Sequence, residues 1–593
     1  MESRCTELQE VIIIIFYDVE CFLFDWMVVF NDPINKEETV IVNDSKRLKE
    51  FYEAHKNEIW VGYNSRNYDQ YIIKGILLGF NPKQINDFII EEGRKGWEFS
   101  DAFKDIPLHN YDVFTGFNGL KVLEGFMGSD IRESSVPFNI RRPLKPNEIA
   151  ETIEYCRHDV NQTILVFCRR LQEFTSYLGL VKQFDLPLSF MNKTKPQLSA
   201  NILGAERKTH FGSEFDLTLP DTLRISKYAH IVDWYRQKEN RNYKKFLEIE
   251  VAGVPHLFGW GGLHGALEKY SGEGLFVHID VDSYYPNLMI EYNFMSRCVR
   301  GTKMYKDILD RRMEFKRAKD KRQEPLKIVL NSTYGAMKDR YNPLYDPRQA
   351  NNVCVGGQLL LLDLIEHLEG CCKLIQSNTD GIIVKYEKPE DLETIKEICH
   401  EWENRTHMHL GFTDITKIWQ RDVNNYLALT TSGELKSKGA DVKNLNSLDN
   451  NLAIVNKAIK AYLIDGVLPE VTIRNSNNLI DYQMIVTVKG DYLFAVHEEM
   501  GELKKLDGKT HRVFASLNNS DGTISRTKNA TSQQMSLFSS VAVDRGHKFA
   551  GTPDNCFIMN ENILGKSCVP QLDKQWYVDE VYRRLTMWGI FND

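Results

Sequence analysis

The chain has 593 residues, too many for one hydrophobic core, and its 42% hydrophobic and 26% charged content is that of an ordinary globular protein of roughly three to five domains, not of a disordered, collagenous or coiled-coil chain. The net charge of −8 argues against a uniformly basic nucleic-acid coat, but it leaves room for metal-holding carboxylates beside local basic strips. Eleven cysteines without a C-x-x-C pair argue against a zinc ribbon or a disulfide framework and fit reduced thiols in a cytoplasmic protein.

In chain order, the first strong feature is the apolar run from Val11 to Phe30, interrupted by Asp18, Glu20 and Asp25. A membrane-spanning helix would bury these acids at high cost, and the run lacks the basic flank and small-residue cleavage site of a signal peptide. It reads as two buried strands with acids placed between them. Asp18 and Glu20, two apart on a strand, point to one face and repel each other unless a cation or a proton lies between them. A D-x-E pair alone more often faces solvent. Further on, GYNSRNYDQYI supplies Asn64, Tyr68 and Asp69. From Asn147, a candidate N-cap, an amphipathic helix carries Ile149, Ile153, Cys156, Val160 and Ile164 on one stripe, with Tyr155 and Asp159 at i and i+4.

Residues 185–255 are mixed and include the basic, polar KENRNYKK, which suits a connector between two lobes. From Gly274 an apolar strand, LFVHIDVDSYYP, ends in acids. Residues 303–324 are charged and helix-prone; Pro325 interrupts them, and a second helix through Tyr334 places Lys327, Asn331 and Tyr334 on one face. GGQLLLLDLIEHLEG reads as a buried helix leading to the apolar strand around KLIQSNTDGIIVKYE. Trp260, His264, Cys371 and Cys372 read as packing residues, and the segment after residue 445 carries no motif.

Two constellations carry a resemblance. D-x-E at Asp18 and Glu20, N-x-x-x-[FY]-D at Asn64 to Asp69, and Y-x-x-x-D at Tyr155 to Asp159 resemble, in order, the three motifs of DnaQ-like, RNase H-type proofreading exonucleases. HIDVDSYYP resembles motif A of the family B DNA polymerases, D-x-x-S-L-Y-P, with Asp280, Ser283, Tyr285 and Pro286 matched and Tyr284 in the place of leucine. KIVLNSTYG matches motif B throughout, and Arg312 and Lys316 resemble the R-x-x-x-K that precedes it. SNTDG resembles motif C, D-T-D-S, with Asn378 for the first aspartate, Asp380 retained and Gly381 for the serine. Tyr426, Lys438 and Gly439 match the K-x-Y segment and K-G turn, with Asn424 for lysine, and WGGLHG resembles a Y-x-G-G segment.

The resemblance implies an α/β and α+β multidomain chain: an RNase H-like exonuclease joined to a right-hand polymerase with a ferredoxin-like palm, helical fingers and a thumb. The expected domains are exonuclease 1–185, connector 186–255, palm 256–300 and 338–445, fingers 301–337, and thumb with C-terminal region 446–593. It also implies two Mg²⁺ ions per active site, or Mn²⁺, held by Asp280, Asp380 and the Val281 carbonyl in one site and by Asp18, Glu20, Asp69 and Asp159 in the other. Tyr155 is expected to orient the attacking water. Arg312, Lys316, Lys327 and Asn331, with the backbone at Ser283 and Tyr284, are expected to hold the triphosphate; Tyr285 is expected to exclude a 2′-OH, and Tyr334 to lie along the nascent base pair. Tyr426, Lys438 and Gly439 are expected to hold the primer–template DNA.

Primer–template DNA and dNTPs are thus the expected partners, with a helicase, single-strand binding protein or clamp-like factor and no membrane. The compact chain resembles bacteriophage or mobile-element enzymes rather than cellular ones, and a cytoplasmic location, the host cytoplasm if it is phage-encoded, is expected. Only 47 positions separate Asp280 from Lys327 and 43 separate Gly335 from Asn378, which leaves no room for the insertions of protein-primed enzymes, so a nucleic-acid primer is expected. A reverse transcriptase would carry Y-x-D-D, and family A enzymes lack D-x-x-S-x-Y-P. An inactive scaffold is favoured only by Asn378.

Overall fold

The structure, a computed structural model, describes residues 13–209, 212–528 and 546–591. It is a mixed α/β multidomain chain that separates into two compact units. One comprises residues 1–193, 445–458 and 467–580, and the other 194–444, 459–466 and 581–593. Among the described residues no helix is long and apolar enough to cross a membrane, and the described cysteines are free thiols.

The first unit opens with β1 (Ile14–Cys21), β2 (Trp26–Asp32) and β3 (Glu37–Val42), followed by α1 (Ser45–His55), β4 (Ile59–Gly62), α2 (Asp69–Leu77), α3 (Pro82–Ile90), β5 (His109–Asp112), α4 (Leu120–Met127), α5 (Pro146–Arg169) and α6 (Leu171–Gln183). The sheet order is β3-β2-β1-β4-β5. β1 runs antiparallel to β2 and parallel to β4, which is parallel to β5. Alternation decides what β1 buries. Ile15, Tyr17 and Val19 enter a core with Trp60 and Ile72, whereas Phe16 faces α5, its ring 5.1 Å from that of Phe167. Asp18 and Glu20 continue the α5-facing set.

The two expected strands are present, although Val11 and Ile12 lie outside the described residues. The acids lie within β1 and not between the strands; Asp25 alone occupies the turn, where it accepts from the Leu144 amide at 2.8 Å. The α5 helix starts earlier than expected. Lys145 is its N-cap, and Pro146, whose missing N–H costs nothing in the first turn, precedes Asn147.

The second unit holds α7 (Lys195–Ile202), α8 (Ala229–Arg236), β6 (Phe246–Val251), β7 (Val254–Gly259), β8 (His264–Ala266), β9 (Tyr270–Val281), α9 (Tyr284–Glu291), α10 (Lys303–Arg317), α11 (Gln323–Lys338), α12 (Pro347–Leu368), β10 (Lys373–Asn378), β11 (Gly381–Tyr386), α13 (Asp391–Thr406), β12 (Leu410–Asp422), β13 (Asn425–Thr430) and β14 (Leu435–Lys438). Its nine-stranded sheet has the order β14-β13-β12-β9-β11-β10-β8-β7-β6. Pro325 does not precede α11 but sits in its first turn, and the helix runs on to Lys338. The α12 helix is almost wholly buried, and it is tied to α13 by Arg405, which donates to both Asp363 carboxylate oxygens at 2.8 and 3.0 Å.

The remainder comprises α14 (Ala453–Asp465), α15 (Pro469–Asn475) and α16 (Lys574–Met587) and, among the described residues, the short strands β15 (Met484–Thr487), β16 (Phe494–Glu499), β17 (Glu502–Lys505), β18 (Thr510–Ala515), β19 (Asp521–Thr527), β20 (His547–Lys548) and β21 (Cys556–Ile558). The segment 446–593, placed as thumb by position alone, is thus shared between the two units. In the first unit the fully buried Arg512 binds distant segments together. It donates to Gly125 O (3.3 Å), Ser129 O (2.7 Å), Met559 O (3.1 Å), Glu561 O (2.7 Å) and Gln483 Oε1 (2.9 Å).

Candidate active sites

In the first unit, β1 and α5 bring Asp18, Glu20 and Asp159 together. Their ligand atoms lie within 4.8 Å of one another. Asp18 Oδ2 is buried without a hydrogen-bond partner, and Glu20 is 9% exposed. Asp69, the first residue of α2, is buried beside them; its Oδ1 accepts from the Val19 amide, between the two β1 acids, at 3.3 Å. Asn64, with a positive φ of 61°, and Tyr68 line the same cleft of about 500 Å³ with Asp18, Glu20 and Asp69. The Tyr68 hydroxyl donates to Asn86 Oδ1 at 2.8 Å.

Crowding shifts these acids. Burial pushes Asp18 up to about 6, against the Cys156 thiol and the Lys121 charge. Burial, then Asp18 and Asp159, hold Glu20 well above the usual range; burial, then Asp18, do the same to Asp69. Asp159 is raised to about 8 by burial, although Lys121 opposes the shift. Buried carboxylates that resist ionisation, one with an orphaned oxygen, form a donor set that fits a hard divalent cation.

Four residues of this site were not anticipated. Lys121 Nζ donates to Asp159 Oδ1 at 2.5 Å and to Glu124 Oε1 at 3.1 Å, and lies 4.7 Å from the centre of the Tyr155 ring. Burial works against its charge, but Asp159 and Glu124 outweigh burial and hold the ammonium above its ordinary value. Asp112, at the end of β5, accepts from the amides of Asn64 (2.8 Å) and Arg66 (3.1 Å) and so fixes the cleft-lining turn. The Cys156 thiol donates to Asp18 O at 3.2 Å. The one signal in the sequence is a lysine and a glutamate, three apart, within the otherwise apolar LKVLEGFM of α4.

In the second unit the β9–β11 register sets Asp280 opposite Gly381, and the Val281 amide donates to Asp380 O at 2.8 Å. The two acids therefore stand at the adjoining ends of two central strands. Burial raises the Asp380 carboxyl, and the Asp280 charge adds to this, so the pair fits a bridging cation. Gly381 is required here, because a Cβ would meet Ile279 O at 2.9 Å and Asp280 Cα at 3.2 Å. Thr379 turns the chain with a φ of 51°. The Asn378 Nδ2 donates to Val423 O at 3.4 Å, its Oδ1 accepts from the Thr379 hydroxyl at 3.4 Å, and it pairs with His264 on β8. His264, read as packing, is within 3.5 Å of the Thr379 hydroxyl, and Gly262 has no room for a Cβ, which would stand 2.7 Å from that oxygen.

Ser283 adopts a left-handed conformation (φ 50°) and starts α9. Arg312 Nη1 donates to Ser283 Oγ at 3.5 Å, and Lys316 Nζ lies 3.8 Å from Asp282. The Tyr285 and Tyr334 rings meet at 4.7 Å. Val281, Ser283, Tyr285, Arg312, Asn331, Tyr334 and Asp380 line a cleft of about 260 Å³. Tyr284 also borders it, but its side chain is buried and donates to Gly357 O at 2.6 Å, so only its backbone is available. Lys327 is exposed on the α11 face that carries Asn331 and Tyr334, and it is not part of the cleft wall. Tyr426 pairs with Lys438 across β13 and β14. Gly439 follows at φ 97°, where a Cβ would stand 2.8 Å from Asn424 O. His278, 3.7 Å from Asp280 and 3.3 Å from Lys436, was not anticipated.

No family model matches the chain. The DNA polymerase alpha catalytic subunit of Leishmania donovani is 26% identical over 215 residues, a match that covers 32% of this chain and 16% of that protein. The solved structure of the family B DNA polymerase from the hyperthermophilic archaeon Pyrobaculum calidifontis aligns with a TM-score of 0.41 and 14% identity, over 98% of this chain and 78% of that one. The chain resembles the family B DNA polymerases.

Proposed function

We propose that the chain is a template-directed DNA polymerase that extends a primer 3′ end with dNTPs, and that its first unit is a 3′→5′ proofreading exonuclease. The observation that carries the polymerase reading is the register that sets Asp280 beside Asp380 at a cleft bordered by Arg312, Tyr285 and Tyr334. Three further features support the assignment. The β3-β2-β1-β4-β5 order, with β1, β4 and β5 parallel, suits an RNase H-like nuclease. The antiparallel sheet around β9 suits a palm, and the α10–α11 pair suits fingers. The cluster of Asp18, Glu20 and Asp159 suits nuclease chemistry. The domain boundaries given above, with residues 186–255 as connector, belong to this reading.

Divalent metal, Mg²⁺ or Mn²⁺, on Asp280, Asp380 and the Val281 carbonyl, and on the nuclease acids, would activate the attacking oxygen and neutralise phosphate charge. The protein's own groups do the rest. Arg312, held near Ser283, grips the triphosphate by charge-assisted hydrogen bonds, and Lys316 and Lys327 add positive charge along the helices that carry them. The left-handed turn at Ser283 leaves the first amides of α9 available to phosphate oxygens. Tyr285, braced by Tyr334, forms the floor under the sugar and excludes a 2′-OH. Tyr426, Lys438 and the tight Gly439 turn guide the primer strand. In the nuclease, Tyr155 orients the water that attacks the terminal phosphodiester. The enzyme serves a phage genome from a nucleic-acid primer, with a helicase or clamp-like partner for long duplexes.

The test is extension of a labelled primer–template with Mg²⁺ and dNTPs, scored for longer and shorter products. Failure to lengthen the primer with either Mg²⁺ or Mn²⁺ overturns the polymerase reading.

A further inference from the structure

The region after residue 445, which carries no motif, contributes two pieces to the second unit: residues 459–466, with the last part of α14, and residues 581–593, with the last part of α16. Both converge on one short stretch of chain. Asp441 is 6% exposed, and each of its carboxylate oxygens is held: Oδ1 accepts from Arg584 Nη1 at 2.8 Å and Oδ2 from the Trp588 indole at 3.0 Å. Arg421 Nη1 stands 3.7 Å from the same Oδ2. From α14, Lys460 Nζ donates to Lys443 O at 3.3 Å and to Asn444 Oδ1 at 2.9 Å.

The stretch held in this way starts at the turn after β14. Val442 and Lys443 donate their amides to Gly439 O at 3.3 and 2.9 Å, so Asp441 lies inside a single turn of chain closed on Gly439. On its other side Gly439 abuts the β12–β13 hairpin, with no room for a Cβ. Lys438 comes just before it. Burial raises the Asp380 carboxyl, and the Lys438 charge works against that rise, so the turn presents a cation to the polymerase-type acids. Trp588 is fully buried and would fasten α16 by its apolar area alone. A buried ion pair adds little stability over apolar side chains of the same size. What it adds here is orientation, because separate donors on the two oxygens fix the plane of the carboxylate.

We propose that Asp441, Arg584 and Trp588 are positioning residues for the primer strand: through them α16 holds the Lys438–Gly439 turn in the place where it meets the primer, and Lys460 of α14 gives a second hold. The proposal rests on the polymerase reading above and gives the motif-less region a part in primer binding. These residues act through the turn and touch neither the nucleotide nor the reacting atoms.

The experiment separates binding from chemistry. Asp441→Asn, Arg584→Met and Trp588→Phe are made in the full chain; the last keeps most of the buried apolar area and removes the indole N–H. The dissociation constant for a labelled, matched primer–template is read by fluorescence anisotropy without dNTP. Each substitution is expected to raise it roughly tenfold, the worth of one hydrogen bond to a charged group. The single-turnover extension rate at saturating DNA and the KM for dNTP are expected to stay as in the unsubstituted chain. A lower melting temperature with an unchanged dissociation constant overturns the proposal and leaves these contacts a structural tie. A slower rate at saturating DNA with binding intact overturns it too. If Asp441→Asn does not fold, Trp588→Phe decides. The polymerase reading fails separately, when the unsubstituted chain neither binds nor extends the primer–template. A chain that extends it, and binds it equally well with and without these side chains, removes only the present inference.

Discussion

Gly381 lies opposite Asp280 in the antiparallel β9–β11 pair, so close that a Cβ would stand 3.2 Å from the Asp280 Cα and 2.9 Å from Ile279 O. Motif C of the resembled family has serine at this place. Gly381→Ser is therefore expected to push the strands apart at the point where Asp280 and Asp380 meet. Overpacking of this kind costs about 1–3 kcal/mol. The expected result is a lower melting temperature and greatly reduced primer extension, with single-strand degradation retained. Extension at the original rate would show that β11 yields without moving Asp380.

The two acids themselves give a stricter test. Asp280→Asn or Asp380→Asn is expected to remove several kcal/mol of transition-state stabilisation, roughly three orders of magnitude or more in dNTP incorporation. Single-turnover extension measures this. Robust synthesis by either variant would exclude the pair as the polymerase centre.

Asp18→Ala with Glu20→Ala is expected to abolish 3′→5′ removal of a mismatched primer end and to leave extension near its original rate. Continued trimming by this double variant, measured on a labelled mismatched primer, would place the nuclease elsewhere.

Stability should also respond to pH through the same acids. Burial lifts Asp18 to about 6 and Asp159 to about 8, both above the unfolded value near 4. Folding thus favours their protonated forms. Their contribution is fully present below about pH 4 and is lost as pH rises through 6 and 8. With chelator present, Asp159→Asn should narrow the gap in melting temperature between pH 5 and pH 8.5, and Mn²⁺ should raise the melting temperature of the unsubstituted protein more at pH 8.5 than at pH 5. Equal Mn²⁺ shifts at both values would contradict the shifted acids.

Asn378 donates through Nδ2 to Val423 O. Asn378→Asp replaces a donor by a carboxylate facing a carbonyl oxygen, a loss of about 1–3 kcal/mol locally. Extension should fall modestly, about tenfold at most. A rise in activity would show that the carboxylate reaches the metal.

The acids were legible in the sequence because each interrupts an apolar run whose period fixes its direction. Asp18 and Glu20 share a β1 face for this reason, and Asp159 falls on the α5 stripe with Cys156. Lys121 was not legible, since its partners are 3 and 38 residues away and only folding joins them. The α5 start was misjudged because Pro146 competes with Asn147 and proline suits the first helical position. The strands β15 to β21 are short and pair out of sequence order, as β15-β18-β21 and β17-β16-β19-β20, so alternation alone did not reveal them.

Arg512 has a consequence for how the chain comes into being. Its guanidinium gathers the carbonyls of Gly125, within the helix that carries Lys121, and of Ser129 just after it, with others at Met559 and Glu561. On a translating ribosome, α4 emerges long before Arg512 exists, and residues 194–444 and 459–466 of the second unit are made in between. The carboxylate cluster beside α4 must therefore wait, half-supported, for a late-born arginine. A nascent chain halted after residue 193 would carry the three nuclease-like motifs without the cation that gathers the carbonyls of Gly125 and Ser129.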